Sequence, residues 1–263
     1  MPTLEVRGVE IAWRERGQGA PVLLIHETAA TSAVWDPLAE ALATELRAIA
    51  YDRRGWGGSS EPDDYRRTTI EEQSEDAAAL IEATAGGPAV VCGAGLGGVI
   101  ALDLLLRRSD VVAGAVLIEP TLLQLTPLAT EALSEDRHRI EIAAGNRENV
   151  IDVFLSGALP ALGPGVARTP EATAAAARDR PGSVLAELGI PAGWRMPLPR
   201  LESADRPSAV VTAASTPPLL QEAAQALGAR LAQASAREVS SPQPPPHVGA
   251  AAEVASIVSE VSP

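Results

Sequence analysis

The turn Gly93-Ala94-Gly95-Leu96-Gly97-Gly98 follows an apolar run and opens a helical pattern. Its glycines permit a sharp strand-to-helix turn, and the Leu96 N–H, at the start of a helix, faces a place where the helix dipole favours negative charge. Gly95, at the centre, has no side chain. Chemistry at this turn therefore falls to the backbone and to groups brought in from elsewhere. Proton transfer here would fall to histidine and carboxylate side chains, and His247, Glu27 and Glu119 are the candidates. The three histidines are scattered and Cys92 is the sole cysteine, so no metal site is expected. His138, within Glu135-Asp136-Arg137-His138-Arg139, reads as a solvated surface residue. The G-x-G-x-G-G spacing departs from the dinucleotide fingerprint G-x-G-x-x-G, and it lies mid-chain rather than at a first βα turn. All 21 basic residues are arginines, which leaves no lysine for a Schiff base or a P-loop. No cofactor is expected.

The elements that must position these groups follow from periodicity. The chain has 263 residues, 46% of them hydrophobic, enough for a large core in one α/β domain. Residues 4–6 and 9–13, hinged at Gly8, read as an opening hairpin. Apolar runs at 22–25, 48–51, 89–92 and 112–118 read as buried parallel strands, separated by helical patterns near 34–46, 70–84 and 96–108. In the first helix Leu38, Leu42 and Leu46 repeat every four residues. From Thr121 to about Arg206 the alternation stops, and helical patterns are broken by Pro160, Pro164, Pro170, Pro181, Pro191, Pro197 and Pro199. A strand at 209–212, a helix at 219–227, a short strand near 237–239 and a last helix at about 250–261 complete the pattern. Residues 1–120 with 207–263 thus form the expected core, and 121–206 a helical cap inserted after the strand that ends at Glu119.

A net charge of −13 argues against nucleic acid, whose phosphates draw on clustered cations. The lone cysteine and the absence of an apolar run of spanning length point to a cytoplasmic protein with no membrane contact. The first residues lack the basic-then-apolar plan of a signal peptide.

Several motifs carry a resemblance. Val22-Leu23-Leu24-Ile25-His26 is similar to the strand that delivers the oxyanion loop in α/β-hydrolases. Tyr51-Asp52-Arg53-Arg54-Gly55-Trp56-Gly57-Gly58-Ser59 resembles their D-x-R-G-x-G-x-S turn, in which Asp52 and Arg53 serve the turn and its ion pairing. The turn at 93–97 resembles the nucleophile elbow G-x-S-x-G, and His247 stands just before the final helix, where the triad histidine belongs. Ile118-Glu119-Pro120-Thr121 resembles the Y-E-P-P-like strand end of an actinobacterial branch. The implied fold is the α/β-hydrolase fold: a mostly parallel central sheet with helices on both faces. Fold alone does not fix chemistry.

Against that pattern the departures are specific. Gly95 replaces the nucleophilic serine, Ala94 stands where histidine is frequent, and the acid position reads Ala213-Ala214-Ser215-Thr216-Pro217-Pro218, without a carboxylate. The backbone cradle of Leu96, with Thr28 on the oxyanion loop, is expected to persist and to hold an oxyanion or enolate. Glu27 replaces the glycine usual after the loop histidine. It is expected beside the elbow, facing the volume a serine would fill, or else simply solvated. Glu119 is the expected orienting partner of His247, or a buried structural acid. His26, Trp35 and Trp194, with Gly95, are expected to wall the pocket, although a tryptophan is more often core.

Two functional classes follow. One is a non-covalent acid–base enzyme (cyclase, lyase, isomerase or water addition) acting on a small apolar or aromatic metabolite of the polyketide kind, with a homodimer left open. The other is an inactive binder of a small molecule or a partner. Hydrolysis by His-activated water is a third reading.

Overall fold

The computed structural model describes residues 1–63, 65–125, 147–155, 171–188, 190, 194–241 and 245–263. Eight strands form one sheet: β1 (Thr3–Val6), β2 (Val9–Arg16), β3 (Ala20–Ile25), β4 (Leu46–Tyr51), β5 (Ala89–Ala94), β6 (Val112–Ile118), β7 (Ser208–Ala213) and β8 (Ala234–Val239). Their order is β1-β2-β4-β3-β5-β6-β7-β8. β2 pairs antiparallel with β1 and β4, and every pairing from β4 to β8 is parallel. The central strands are apolar on both faces because helices cover both. This is the α/β-hydrolase architecture expected from the sequence.

The helices are α1 (Asp36–Leu42), α2 (Ile70–Thr84), α3 (Leu96–Arg107), α4 (Arg147–Leu155), α5 (Glu171–Asp179), α6 (Pro181–Leu188), α7 (Leu198–Glu202), α8 (Pro218–Gly228), α9 (Pro246–Gly249) and α10 (Ala251–Glu260). α2 starts where Thr69 accepts the Glu72 N–H at 3.0 Å, with Glu71 and Glu72 in its positive first turn. The four-residue spacing of these leucines misleads at one end. The helix stops at Leu42, preceded by a 3-10 turn at Ser32–Trp35, and Leu46 is already the first residue of β4. Leu38, Leu42 and Leu46 nevertheless meet in one core cluster beneath the sheet, so burial rather than a continuous helix explains their spacing. β8 is also longer than the apolar pattern suggests, because Ala234 and Ser235 pair with Ser208 and Ala209 despite little burial.

Between β6 and its neighbour β7 the regular elements among the described residues are helices. α4, α5 and α6 pack through Ile151, Ala177 and Val184 onto Ala29 and Trp56, forming a small apolar cluster of their own. His138 and most of the predicted proline breaks lie outside the described residues. Among the described residues no helix is long and apolar enough to cross a membrane.

Candidate active site

Parallel register brings four strand ends to one edge. Ile25 pairs with Gly93, Ala94 with Ile118, and Ile118 with Val211. Residues just beyond those ends, Glu27, Gly95, Glu119 and Thr216, therefore converge at the carboxyl edge, the place where open α/β sheets bind ligands.

The elbow is built as its glycines require. Gly95 has φ +54° and ψ −120°, a conformation that side chains rarely adopt, and its N–H is tied to the Ile118 carbonyl at 3.0 Å. A Cβ on Gly97 would overlap the Ile25 carbonyl oxygen, so this residue lets α3 pack directly against the end of β3. As the first amide of α3, the Leu96 N–H has no preceding helical turn to bond.

Glu27 lies over this turn. A Cβ placed on Gly95 would stand 3.0 Å from the Glu27 Cβ, so the Glu27 stem borders the space that an elbow side chain would use. Its Oε2 is 3.8 Å from Nε2 of His247. The Glu27 side chain is 25% exposed and the His247 side chain 0%. His247 enters on α9, a single helical turn started by Pro246, and its ring lies 4.2 Å from that of the buried Trp35, tilted by 36°. Burial lowers the His247 pKa, and the nearby Glu27 carboxylate pulls it partly back. At neutral pH the imidazole is therefore an uncharged base. Among the described residues, neither His247 ring nitrogen, nor Glu27 Oε2, nor Trp35 Nε1 has a hydrogen-bond partner. A buried polar atom left unbonded costs about 1–3 kcal/mol, and four such atoms belong to His247, Glu27 and Trp35.

Of the two expectations for Glu119, its contacts fit the structural acid rather than the partner of His247. Its carboxyl accepts a short hydrogen bond from Thr216 Oγ1, whose oxygen also accepts the Ala213 N–H at 2.7 Å. Since both His247 nitrogens lack partners, Glu119 does not orient His247. Burial raises the Glu119 pKa, the Thr216 hydroxyl lowers it, and the Glu27 charge raises it again. Glu119 also has φ +43°, so the end of β6 is bent to place it there. Thr216 escapes a search for carboxylates because it is a hydroxyl; its place beside Pro217, just past the end of β7, is its sequence signal.

His26 is scaffold rather than pocket wall. The fully buried ring holds the Glu27 carbonyl through Nδ1 at 2.7 Å and accepts the Arg53 N–H through Nε2 at 3.0 Å. This implies a proton on Nδ1, and burial, then Arg53, drives its pKa well below the ordinary value. Trp194 is also displaced from its expected role: its Nε1 donates to Asp103 at 3.0 Å. Asp103 lies seven residues along α3 from Leu96, about 10 Å down the helix. Trp194 instead lines a cavity of about 360 Å³ with Leu125, Met196, Leu198, Arg195 and Arg230, to which the Glu27–His247 pair does not contribute. Thr28 gives its hydroxyl to Glu187 at 2.7 Å. Asp52 serves its turn, accepting the Ser32 and Gly58 amides, while Arg53 forms a buried ion pair with Glu187. That Glu187 matters was legible only as an acid within the apolar stretch Val184-Leu185-Ala186-Glu187-Leu188. Among the described residues no cluster suited to a metal ion occurs.

Comparison with known proteins agrees with the fold at the level of the family. A profile described as the alpha/beta hydrolase family matches residues 22–257. The chain is 35% identical over 152 residues to the uncharacterized hydrolase YraK of Bacillus subtilis, covering 58% of this chain and 56% of that protein. It is 28% identical over 160 residues to a 2-(acetamidomethylene)succinate hydrolase of Mesorhizobium japonicum, covering 60% and 55%. The chain thus spans little more than half the length of these relatives. An alpha/beta hydrolase structure from Sphaerobacter thermophilus superposes with a TM-score of 0.71 at 25% identity, covering 98% of this chain and 99% of that one.

Proposed function

This chain belongs to the alpha/beta hydrolase family, and we propose that it uses the family's site for acid–base chemistry without an acyl-enzyme. The observation that carries the reading is the placement of Glu27 Oε2 3.8 Å from His247 Nε2, beside an elbow whose central residue is Gly95. The carboxylate faces the imidazole, and its stem borders the space of an elbow side chain.

In this reading neutral His247 takes a proton from the substrate or from a water, which burial favours by keeping the ring uncharged until that step. Glu27 stabilises the imidazolium that forms, as an adjacent opposite charge does. The Leu96 N–H, at the positive end of α3, holds the negative charge that develops on the substrate oxygen. Trp35 packs against His247 and fixes its ring plane. The reactions open to such a set are cyclisation, elimination, isomerisation and addition of water. The fitting partner is a small apolar or aromatic metabolite of the polyketide kind, in a cytoplasmic setting.

Relatives named as hydrolases favour water as the group activated, so hydrolysis by His247-activated water is the second reading. The experiment is a turnover screen over polycyclic aromatic metabolites and simple esters, with wild type, His247→Ala and Glu27→Gln in parallel. The expected result is loss of about 10²–10⁴-fold in the His247 variant, the usual worth of a general base, and a smaller loss in the Glu27 variant. Turnover unaffected by both changes sinks the pair.

A further inference from the structure

One buried carboxylate joins the insertion between β6 and β7 to the loop that carries Glu27. Glu187, on α6, is 2% exposed and accepts from five donor groups. Its Oε1 takes Arg53 Nη1 at 2.6 Å, Trp56 Nε1 at 2.8 Å and Gln73 Nε2 at 3.5 Å. Its Oε2 takes Thr28 Oγ1 at 2.7 Å and Arg53 Nη2 at 3.2 Å. Arg53 in turn grips the same loop, donating Nε to the His26 carbonyl at 2.9 Å and its backbone N–H to His26 Nε2 at 3.0 Å. The next side chain on the same face of α6, Ser183, donates to the Gly55 carbonyl at 2.7 Å, and Arg180 donates to that of Gly57 at 3.0 Å.

Glu27 thus stands between two residues, His26 and Thr28, that are both bound into one buried network. Its own carboxyl has no such anchor: among the described residues the Oε2 is unbonded, and Ala29, two residues on, has φ +57°. The direction in which Glu27 leaves the backbone is therefore set by its neighbours, and Thr28 is fixed by a residue 159 positions away. A surface ion pair would leave such a loop free to relax. This network is desolvated and every Glu187 oxygen is met by a donor, so the geometry is held tightly.

We propose that Glu187 is a positioning residue for Glu27, holding the His26–Thr28 loop through Thr28 and Arg53 so that seating of α6 assembles the Glu27–His247 pair. This rests on the acid–base reading of that pair. A purely structural Glu187 would affect stability alone. A positioning Glu187 also alters where Glu27 stands, and hence the charge that His247 senses.

The test follows the His247 imidazole by NMR titration in the full-length protein and determines the crystal structure of each variant. The set is Glu27→Gln, Glu187→Gln, Thr28→Val, Thr28→Ser and, as a control, Asp76→Asn. The control breaks another buried ion pair, Asp76 with Arg54 at 2.6 Å and 2.7 Å, which has no bond to the loop. Glu27→Gln should lower the His247 pKa, because the carboxylate that pulls it up is gone. Glu187→Gln and Thr28→Val should lower it by at least half as much, with the Glu27 carboxyl moved beyond ion-pair distance of Nε2. Thr28→Ser should restore it, and Asp76→Asn should leave it unchanged although it destabilises. Should Glu187→Gln fail to fold, Thr28→Val carries the test, since it removes one hydroxyl and keeps α6 intact. A His247 titration moved by Glu27→Gln but not by Thr28→Val overturns the positioning role alone. A titration insensitive to Glu27→Gln overturns the pair beneath it.

Discussion

Placing a serine at the elbow is the most informative perturbation of this site. In Gly95→Ser the new Cβ stands 3.0 Å from the Glu27 Cβ, against the ~3.5–4.0 Å at which carbon atoms rest in favourable contact. Glu27 cannot turn this atom away by changing rotamer, because Cβ moves only with the backbone. That backbone is held on one side by His26 and on the other by Thr28 bonded to Glu187. The overlap should therefore cost about 1–3 kcal/mol, as overpacking does. The residue must also adopt φ +54° and ψ −120°, for about 1–3 kcal/mol more. The sum, roughly 2–6 kcal/mol, is a large part of the ~5–15 kcal/mol that holds an ordinary domain together.

Because only the overlap involves Glu27, a double-mutant cycle separates the two costs. Adding Glu27→Gly should recover about 1–3 kcal/mol and leave the backbone strain in place. The assay is urea unfolding at constant m-value, with hydrolysis of p-nitrophenyl acetate followed on the same samples. Neither variant should become an efficient esterase: Thr216 occupies the acid segment, and both ring nitrogens of His247 lack an orienting partner. Gly95→Ser within about 0.5 kcal/mol of wild type, or zero coupling to Glu27, would refute the placement of Glu27 over the elbow. Strong esterase activity in the single variant would refute the acid–base reading.

Other outcomes follow from the same geometry. Arg53→Met should cost about 3–5 kcal/mol, since it leaves the Glu187 carboxylate buried without its ion-pair partner; a shift in urea midpoint worth under ~1 kcal/mol would contradict the network. Gly97→Ala should lower the melting temperature sharply, with a loss of about 3 kcal/mol or more, because its Cβ has only the carbonyls of Ile25 and His26 to occupy. The pH dependence has a definite sign. Burial lowers the folded-state pKa values of both His26 and His247, so the stability they confer is fully present above the unfolded value near 6.5 and is lost as pH falls below it. His247→Asn should therefore flatten the fall in unfolding free energy just below pH 6.5 by up to one proton, about 1.4 kcal/mol per pH unit; an unchanged slope would mean that the ring is not held neutral.

The fold was legible in the sequence because local burial periods mark it. Continuous apolar runs such as Val22-Leu23-Leu24-Ile25 belong to strands covered on both faces, and the elbow glycines announce a close approach of strand and helix. The same local view misplaced the end of α1, since Leu46 keeps the spacing of Leu38 and Leu42 while belonging to β4. It brought Glu27 and His247 to one site only through motif order, and it could not tell which carboxylate His247 faces.

That choice belongs to tertiary geometry. Glu119 and Glu27 both follow strands that end at the same sheet edge, and their residue type is identical. Thr216 binds Glu119 from across 97 residues, whereas Glu27 projects over a glycine with no side chain to obstruct it. His26 and Trp194, plausible pocket walls by type, are bound by Arg53 and Asp103, partners that no local pattern reveals. The amino-acid sequence by itself determined the sheet, the elbow and the glycine at its centre, because these depend on burial periods and on single residue types. Only the tertiary structure decided which polar groups satisfy one another, because hydrogen bonds join residues by distance in space, and among the described residues it leaves Glu27 Oε2 and both His247 ring nitrogens with those buried atoms that have no partner.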